Sequence, residues 1–271
     1  MQITTRLRYQ YQVCGLRWAS NVPLSIPRES WPDEKTPDVK FTLKSSARST
    51  GELFTRKVHF TFIKNGAGHP SIAVYRVGEL FLLDCHSPRT RVEFVMPRDG
   101  RWIHCYPGKE TTQEEIEMWL FGLVISFLLQ TRGIFTLHAA AVNCHEQAIA
   151  FLGANGYGKS TLAFFFVKNG HSLITDDVLP ISERDHHAFG VPGCPSMNLW
   201  GRTLAQVGSS GLTAAGISGE KHRYSLDKLE IQFCKSEIPL TRIYLLHPTV
   251  EHCPERTEII RQKALSALGI T

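Results

Sequence analysis

Three groups of residues in this chain could do chemistry together. The first is Gly153-Ala154-Asn155-Gly156-Tyr157-Gly158-Lys159-Ser160-Thr161, which contains a glycine, four residues, then Gly-Lys-Ser. Glycines at that spacing let successive backbone N–H groups point inward and line a concave anion site. A helix beginning at Lys159 would add its unpaired N–H groups and the positive end of its dipole. In such a loop the lysine reaches the β- and γ-phosphate oxygens of a nucleotide, and the Ser160 hydroxyl ligates Mg²⁺. The alternative is a glycine-rich turn that binds nothing. The second group is Asp176-Asp177. Two carboxylates at the C-terminal end of a parallel strand would face the same crevice as the loop. One would hold Mg²⁺, with Asp176 the candidate ligand, while the other takes the proton from an acceptor hydroxyl, and which of the two is the base stays open. Standing alone, the pair favours a turn in which each Asp bonds its own backbone; the nearby phosphate loop reverses that preference. The third is His138, inside an apolar run, where it is either a core histidine or a group near the γ-phosphate.

The elements around these residues suit the phosphate-loop reading. Ala148–Gly153 is a short apolar run that reads as a strand, and KSTLAFFFVKN reads as a helix closed by Gly170. A strand before and a helix after are what such a loop requires. IFTLHAAAV (134–142) reads as one strand, joined to the next by the turn NCHEQ in a hairpin that sets His138 beside the strand feeding the loop. HSLITDD (171–177) reads as a third strand. Upstream, Thr112-x-x-Glu115 is a capping box that opens a helix running to Gly133. That helix is apolar nearly all round and should be packed on several sides. Before it the chain is β-rich: VHFTFIKNG, SIAVYRVGELFLLD, RVEFVMP and RWIHCYPG alternate with turn residues, and Asp99-Gly100 is a hairpin turn signal. Ser25–Asp38, with Pro27, Pro32 and Pro37, reads as an irregular loop. The expected organisation is therefore a smaller β-rich region over 1–110 and an α/β domain over 111–271.

Composition excludes several classes. The 271 residues are 42% hydrophobic and 20% charged, with a formal charge of +5, which is ordinary for a folded chain. No basic run concentrates that charge, so it makes no case for nucleic acid. The longest largely apolar run, Met118–Leu129, is short of the roughly 20 residues a bilayer span needs, and no membrane association is expected. The seven cysteines are dispersed with no C-x-x-C. Reduced thiols in a cytoplasmic protein are the simpler expectation.

LHAAAV, GANGYGKSTLA, a Gly-terminated helix and LITDD together resemble the catalytic domain of the HPr kinase/phosphorylase superfamily. The resemblance implies a central sheet with a hairpin before the phosphate loop, ATP and Mg²⁺ as cofactors, and His138, Lys159, Ser160, Asp176 and Asp177 at the active-site positions. One aspartate would then be the general base towards a serine hydroxyl. YQYQVCGLRWASNVPL, VPGCPSMNLWGRTLAQV, EKHRYSLDKLE and PLTRIYLLHP further resemble an HPr-kinase-related branch encoded beside peptide natural-product genes. Some members of that branch, in lasso-peptide clusters, phosphorylate the C-terminal serine of the precursor peptide. The implied partner is a peptide or small protein, and the related bifunctional enzymes assemble into homo-oligomers. The superfamily's later segment associated with phosphorylase activity is not found, and the N-terminal region does not resemble that of the bifunctional enzymes. Both weigh against HPr as acceptor and against a reverse reaction. The chain ends at LSALGIT, where the branch continues into further helix, so a shortened C-terminal element is expected.

Lys221 and Arg223 are expected in a loop opposite the phosphate site, either neutralising charge on the transferring group or simply solvated. Arg202 and Arg242 carry less support. Against a serine kinase stand a small-molecule kinase, a phosphate-loop NTPase coupling hydrolysis to motion, and a non-catalytic anion-binding protein. No LSGGQ-like or N-K-x-D segment supports the NTPase.

Overall fold

The computed structural model describes residues 6–32, 35–44, 72–87, 90–200, 203 and 221–247. The expected strand VHFTFIKNG, Arg202 and the LSALGIT terminus lie outside these residues. The architecture is mixed α/β, with strands predominating.

β1 (Tyr9–Val13) and β2 (Leu16–Ser20) form an antiparallel hairpin. Cys14 and Gly15 at its tip have φ of 53° and 73°, the left-handed pair of a two-residue turn. This hairpin is not among the expected strands, although Tyr-Gln-Tyr-Gln-Val is a clean period-2 signal. β3 (Val39–Leu43), β4 (Ile72–Val77), β5 (Leu80–His86), β6 (Arg91–Pro97) and β7 (Trp102–Pro107) complete a sheet of order β1-β2-β3-β7-β6-β5-β4. The turn between β6 and β7 contains Asp99-Gly100, as expected.

The expected capping box is present at α1 (Gln113–Trp119). Glu115 N–H donates to Thr112 Oγ1 at 3.2 Å, and Thr112 N–H donates to Glu115 Oε2 at 2.9 Å. The helix that follows is not continuous α-helix. Leu120–Val124 is π-helical, and α2 (Ile125–Thr131) resumes beyond it. Ile116, Leu120, Phe121, Val124, Ile125, Leu128 and Leu129 bury themselves in one core with Trp18, Phe41, Phe94, Met96 and Ile103 of the first sheet. Each such side chain contributes about 1.5–3 kcal/mol on burial. The helix is thereby fixed on the first sheet.

The run expected as a single strand over 134–142 is two strands, β8 (Phe135–His138) and β9 (Ala140–Cys144). The chain turns between them at Ala139, which is fully buried and whose N–H donates to the Asp177 carbonyl at 2.9 Å. β9 forms the expected hairpin with β10 (Gln147–Leu152), through a turn in which His145 and Glu146 have φ of 52° and 61°. After β10 comes α3 (Lys159–Lys168), which packs Ala163, Phe164 and Val167 against Val142, Ile149, Phe151 and Leu173. β11 (Ser172–Thr175) pairs antiparallel with the other side of β9. It is therefore not a parallel neighbour of β10, but it runs in the same direction one strand away. β12 (Val178–Arg184) lies between β8 and β13 (His187–Gly190). β14 (Ser196–Trp200) and β15 (Lys221–Ser225) form a separate two-stranded ribbon, followed by the short α4 (Leu226–Leu229). β16 (Ile238–Leu245) begins antiparallel to β13 and continues parallel to β10. The second sheet thus has the order β11-β9-β10-β16-β13-β12-β8. Among the described residues, no helix is long and apolar enough to cross a membrane.

Candidate functional site

β10 and β11 flank β9 and point the same way. Phe151 faces Ala140 across one ladder, and Thr175 faces Ala141 across the other. The Gly153 loop and the Asp176-Asp177 bend therefore leave the sheet at the same end. Two strand spacings separate their stems, roughly 10 Å. That gap suits a phosphoryl group approached from both sides.

The loop is built by close approach. Gly153 has φ of 146°, and a Cβ there would lie 2.8 Å from the Leu246 carbonyl oxygen, where the chain leaving β16 crosses the end of β10. Leu246 N–H donates to the Leu152 carbonyl at 2.7 Å and holds that crossing. Any side chain at 153 would push the two segments apart. Ala154, Asn155, Gly156 and Tyr157 are exposed, while Lys159 and Ser160 are buried in the first turn of α3. Gly158 caps that helix at φ 89°. Lys159 Nζ donates to the Gly153 carbonyl at 2.7 Å and to the Ala154 carbonyl at 3.3 Å. The ammonium thus closes over the loop's own oxygens. Thr161 is exposed and meets Thr203, hydroxyl to hydroxyl, at 3.4 Å.

The two aspartates face different partners. Asp176 is buried, and its Oδ2 accepts the Asn198 N–H of β14 at 2.7 Å. Asp177 is partly exposed, and its Oδ1 lies 2.9 Å from His138 Nδ1. His138 does not reach the site from a strand beside β10, as expected. It comes from β8, opposite Val178 of β12, so strand pairing sets the ring next to the carboxylate that precedes Val178. His138 is exposed rather than a core residue. An imidazole nitrogen this close orients the carboxylate, and a carboxylate so held can accept a proton.

Three contributors to this geometry carry no sequence signature of their role. Asn198 acts through its backbone N–H. Gly122, in the π-helical stretch, leaves room for Asp177: a Cβ at 122 would be 3.2 Å from Asp177 Oδ2. Phe121, beside it, lies under the Arg223 guanidinium, whose Cζ is 5.3 Å from the ring centroid. Lys221 and Arg223 are not loop residues: both belong to β15, where Arg223 pairs with Asn198 and Lys221 with Trp200. Arg223 Nη1 donates to Ser196 Oγ at 2.6 Å. Arg242 lies in β16, opposite Ile149 of β10. Burial pushes the Cys194 thiol up to about 11, with Arg223 opposing and Asp177 adding to the rise. Cys14 is raised by burial too, and it feels both Cys194 and Asp177. Glu117 is also raised by burial, with Arg223 pulling it back.

No family model matches the chain. A stretch of 98 residues is 32% identical to HPr kinase/phosphorylase of Clostridium botulinum, in both strain Eklund 17B / Type B and strain Alaska E43 / Type E3, covering 36% of this chain and 31% of theirs. HPr kinase/phosphorylase of Caldicellulosiruptor bescii is 33% identical over 70 residues, which is 26% of this chain and 22% of that protein. The match spans less than a third of the length of these curated relatives. Among solved structures, the Hpr(Ser) kinase/phosphatase from Coxiella burnetii is similar with a TM-score of 0.29 at 20% identity, over 50% of this chain and 80% of that one.

Proposed function

We propose that this protein is an ATP-dependent serine kinase whose acceptor is a peptide or small protein. The observation that carries the reading is the shared exit of two segments from the sheet. The Gly153–Ser160 loop and the Asp176-Asp177 pair leave on either side of β9, and Asp177 already holds His138 at 2.9 Å. The residues suit the implied groups. Gly153, Gly156 and Gly158 all have positive φ in the loop, α3 presents its N-terminus to it, and hard oxygen donors at Ser160 and Asp176 match a small divalent cation. ATP's phosphates would be held by the loop N–H groups and Lys159, with Ser160 and Asp176 holding Mg²⁺. Bound Mg²⁺ neutralises phosphate charge and leaves the γ-phosphoryl group open to attack.

Within that frame each side chain has a task. Lys159 exchanges its bonds to the Gly153 and Ala154 carbonyls for phosphate oxygens. Asp177 accepts the serine hydroxyl proton as the new O–P bond forms and ADP departs, and His138, whose Nδ1 lies 2.9 Å from Asp177 Oδ1, orients that carboxylate. Asp176 is held in place by Asn198 N–H. Sequence resemblance to the peptide natural-product branch favours the C-terminal serine of a lasso-peptide precursor as acceptor. The cytoplasm is the proposed compartment, and the region over 1–110 is proposed as the part that engages the acceptor. Mass spectrometry of serine-ending peptides and of HPr, after incubation with the protein and Mg²⁺-ATP, tests the reading. One added phosphate on a peptide, absent with Lys159→Ala, is the expected result. Steady ATP hydrolysis with every acceptor unmodified would instead favour a coupled NTPase.

A further inference from the structure

The two aspartates sit in one bend but rest on different elements: Asp176 on the β14–β15 ribbon, Asp177 on the π-helical turn. Their relative placement therefore depends on something that joins ribbon to helix. Arg223 makes that join. On β15 it faces Asn198, the residue whose N–H holds Asp176 Oδ2 at 2.7 Å. Its guanidinium is tethered within the ribbon by Nη1 to Ser196 Oγ at 2.6 Å, with Cys194 Sγ at 3.6 Å. It then lies over the Phe121 ring, 5.3 Å from the centroid, and the next residue, Gly122, is the one against which Asp177 Oδ2 rests.

A cation over an aromatic face is attracted by the ring quadrupole, more strongly where water is excluded. Here Nε and Nη2 are shut off from solvent and make no hydrogen bond among the described residues. The guanidinium is thus held by Ser196, Cys194 and the ring face rather than by an acidic partner's geometry. Glu117, one turn before Phe121 on the same helix, is near enough for its carboxyl to feel the Arg223 charge. Attraction to ring and carboxylate pulls ribbon and helix together.

We infer that Arg223 is a positioning residue that aligns Asp176 and Asp177 with each other, by clamping the β14–β15 ribbon onto the π-helical turn at Phe121-Gly122. This inference rests on the kinase reading for its consequence in turnover, but not for its structural content. Asp177 and Asp176 remain the groups that touch acceptor and metal, and Arg223 acts through them. A small misplacement of a reacting group can cost up to about a hundredfold in rate, so the clamp should govern turnover more than nucleotide binding.

The test uses the full chain with Arg223→Met, which keeps length and loses charge, and Arg223→Lys, which keeps charge and loses the planar face. Two resonances report the aspartates without any assay of activity: the Asn198 amide, which donates to Asp176, and the His138 ring, 2.9 Å from Asp177. Arg223→Met is expected to shift both, to change Mg²⁺-ATP affinity by less than about threefold and to lower phosphoryl transfer at least about tenfold. Arg223→Lys should fall between. A shift confined to Asn198, or to neither signal, overturns the clamp. So does a fall in ATP affinity that matches the fall in turnover, which would make Arg223 a direct phosphate contact. If Arg223→Met does not fold, Phe121→Leu removes the ring while keeping the arginine, and the same His138 ring shift is expected. Absence of ATP binding in the wild-type chain would refute the kinase reading alone, and the paired resonance shifts would still decide the clamp.

Discussion

At the scale of single residues, the site divides into groups that announce themselves and groups that do not. Gly153, Lys159, Ser160 and the two aspartates were legible because their chemistry requires those side chains at that spacing. Gly122 and Asn198 were not, because one contributes an absent Cβ and the other a backbone N–H, and neither has a side-chain pattern. The structure gives Gly122 a specific consequence. Gly122→Ala would set a methyl 3.2 Å from Asp177 Oδ2, so the carboxylate must move by a few tenths of an ångström. Phosphoryl transfer is expected to fall several-fold to tenfold, while Mg²⁺-ATP titration stays near wild type; equal transfer in both proteins would show that Asp177 tolerates the shift. Asp177→Asn and Asp176→Asn should separate the two carboxylates. The first keeps Mg²⁺-ATP affinity and suppresses transfer as a lost general base does, by roughly 10²–10⁴-fold. The second also weakens the dependence on Mg²⁺ concentration. Identical Mg²⁺ titrations for the two variants would contradict the division of roles.

At the scale of elements, local signals were read well and their endings poorly. The capping box at Thr112 and Glu115, the β9–β10 hairpin and the helix after the glycine loop all follow from short-range patterns. The break at Ala139 did not, because IFTLHAAAV is apolar throughout and only tertiary pairing decides that β8 joins β12 while β9 joins β10. The π-helical stretch was likewise hidden, although a glycine inside an apolar helix is the type of mark that hints at close approach. Such stretches often lie at functional sites, and this one supports Asp177. Helix α1 nevertheless owes part of its stability to its cap. Thr112→Ala is expected to cost about 1 kcal/mol, seen as a lower denaturant midpoint with an unchanged slope. An unaltered midpoint would mean that packing of Ile116, Leu120 and Phe121 alone holds the helix start.

At the scale of the whole molecule, the helix over 113–131 carries one face of the first sheet's core and also touches the site in the second sheet. That double role could not be read from the sequence, which shows that the helix is apolar but not what it packs against. Glu117 lies buried on this helix, its Oε1 accepting Ser25 N–H at 2.9 Å and Gln113 Nε2–H at 2.8 Å. Burial raises its carboxyl above the ordinary 4.5. The folded state then binds the proton more tightly than the unfolded one. Its contribution to stability is full below about pH 4.5 and is lost as pH rises through the higher folded value. As pH rises from about 4.5 through the higher folded value, the wild type should therefore lose more stability than Glu117→Gln in paired denaturant titrations; parallel losses would show that the hydrogen bonds from Ser25 and Gln113 fully offset burial. The account as a whole turns on whether the Gly153 loop and Asp177 serve one phosphoryl group. The most direct measurement follows label from [γ-³²P]ATP in a single turnover with a serine-ending peptide, for wild type, Lys159→Ala and Asp177→Asn. The account predicts label on the peptide serine with wild type, unbound ATP with Lys159→Ala, and bound but untransferred ATP with Asp177→Asn. Label reaching the peptide at the wild-type rate with Asp177→Asn would contradict it.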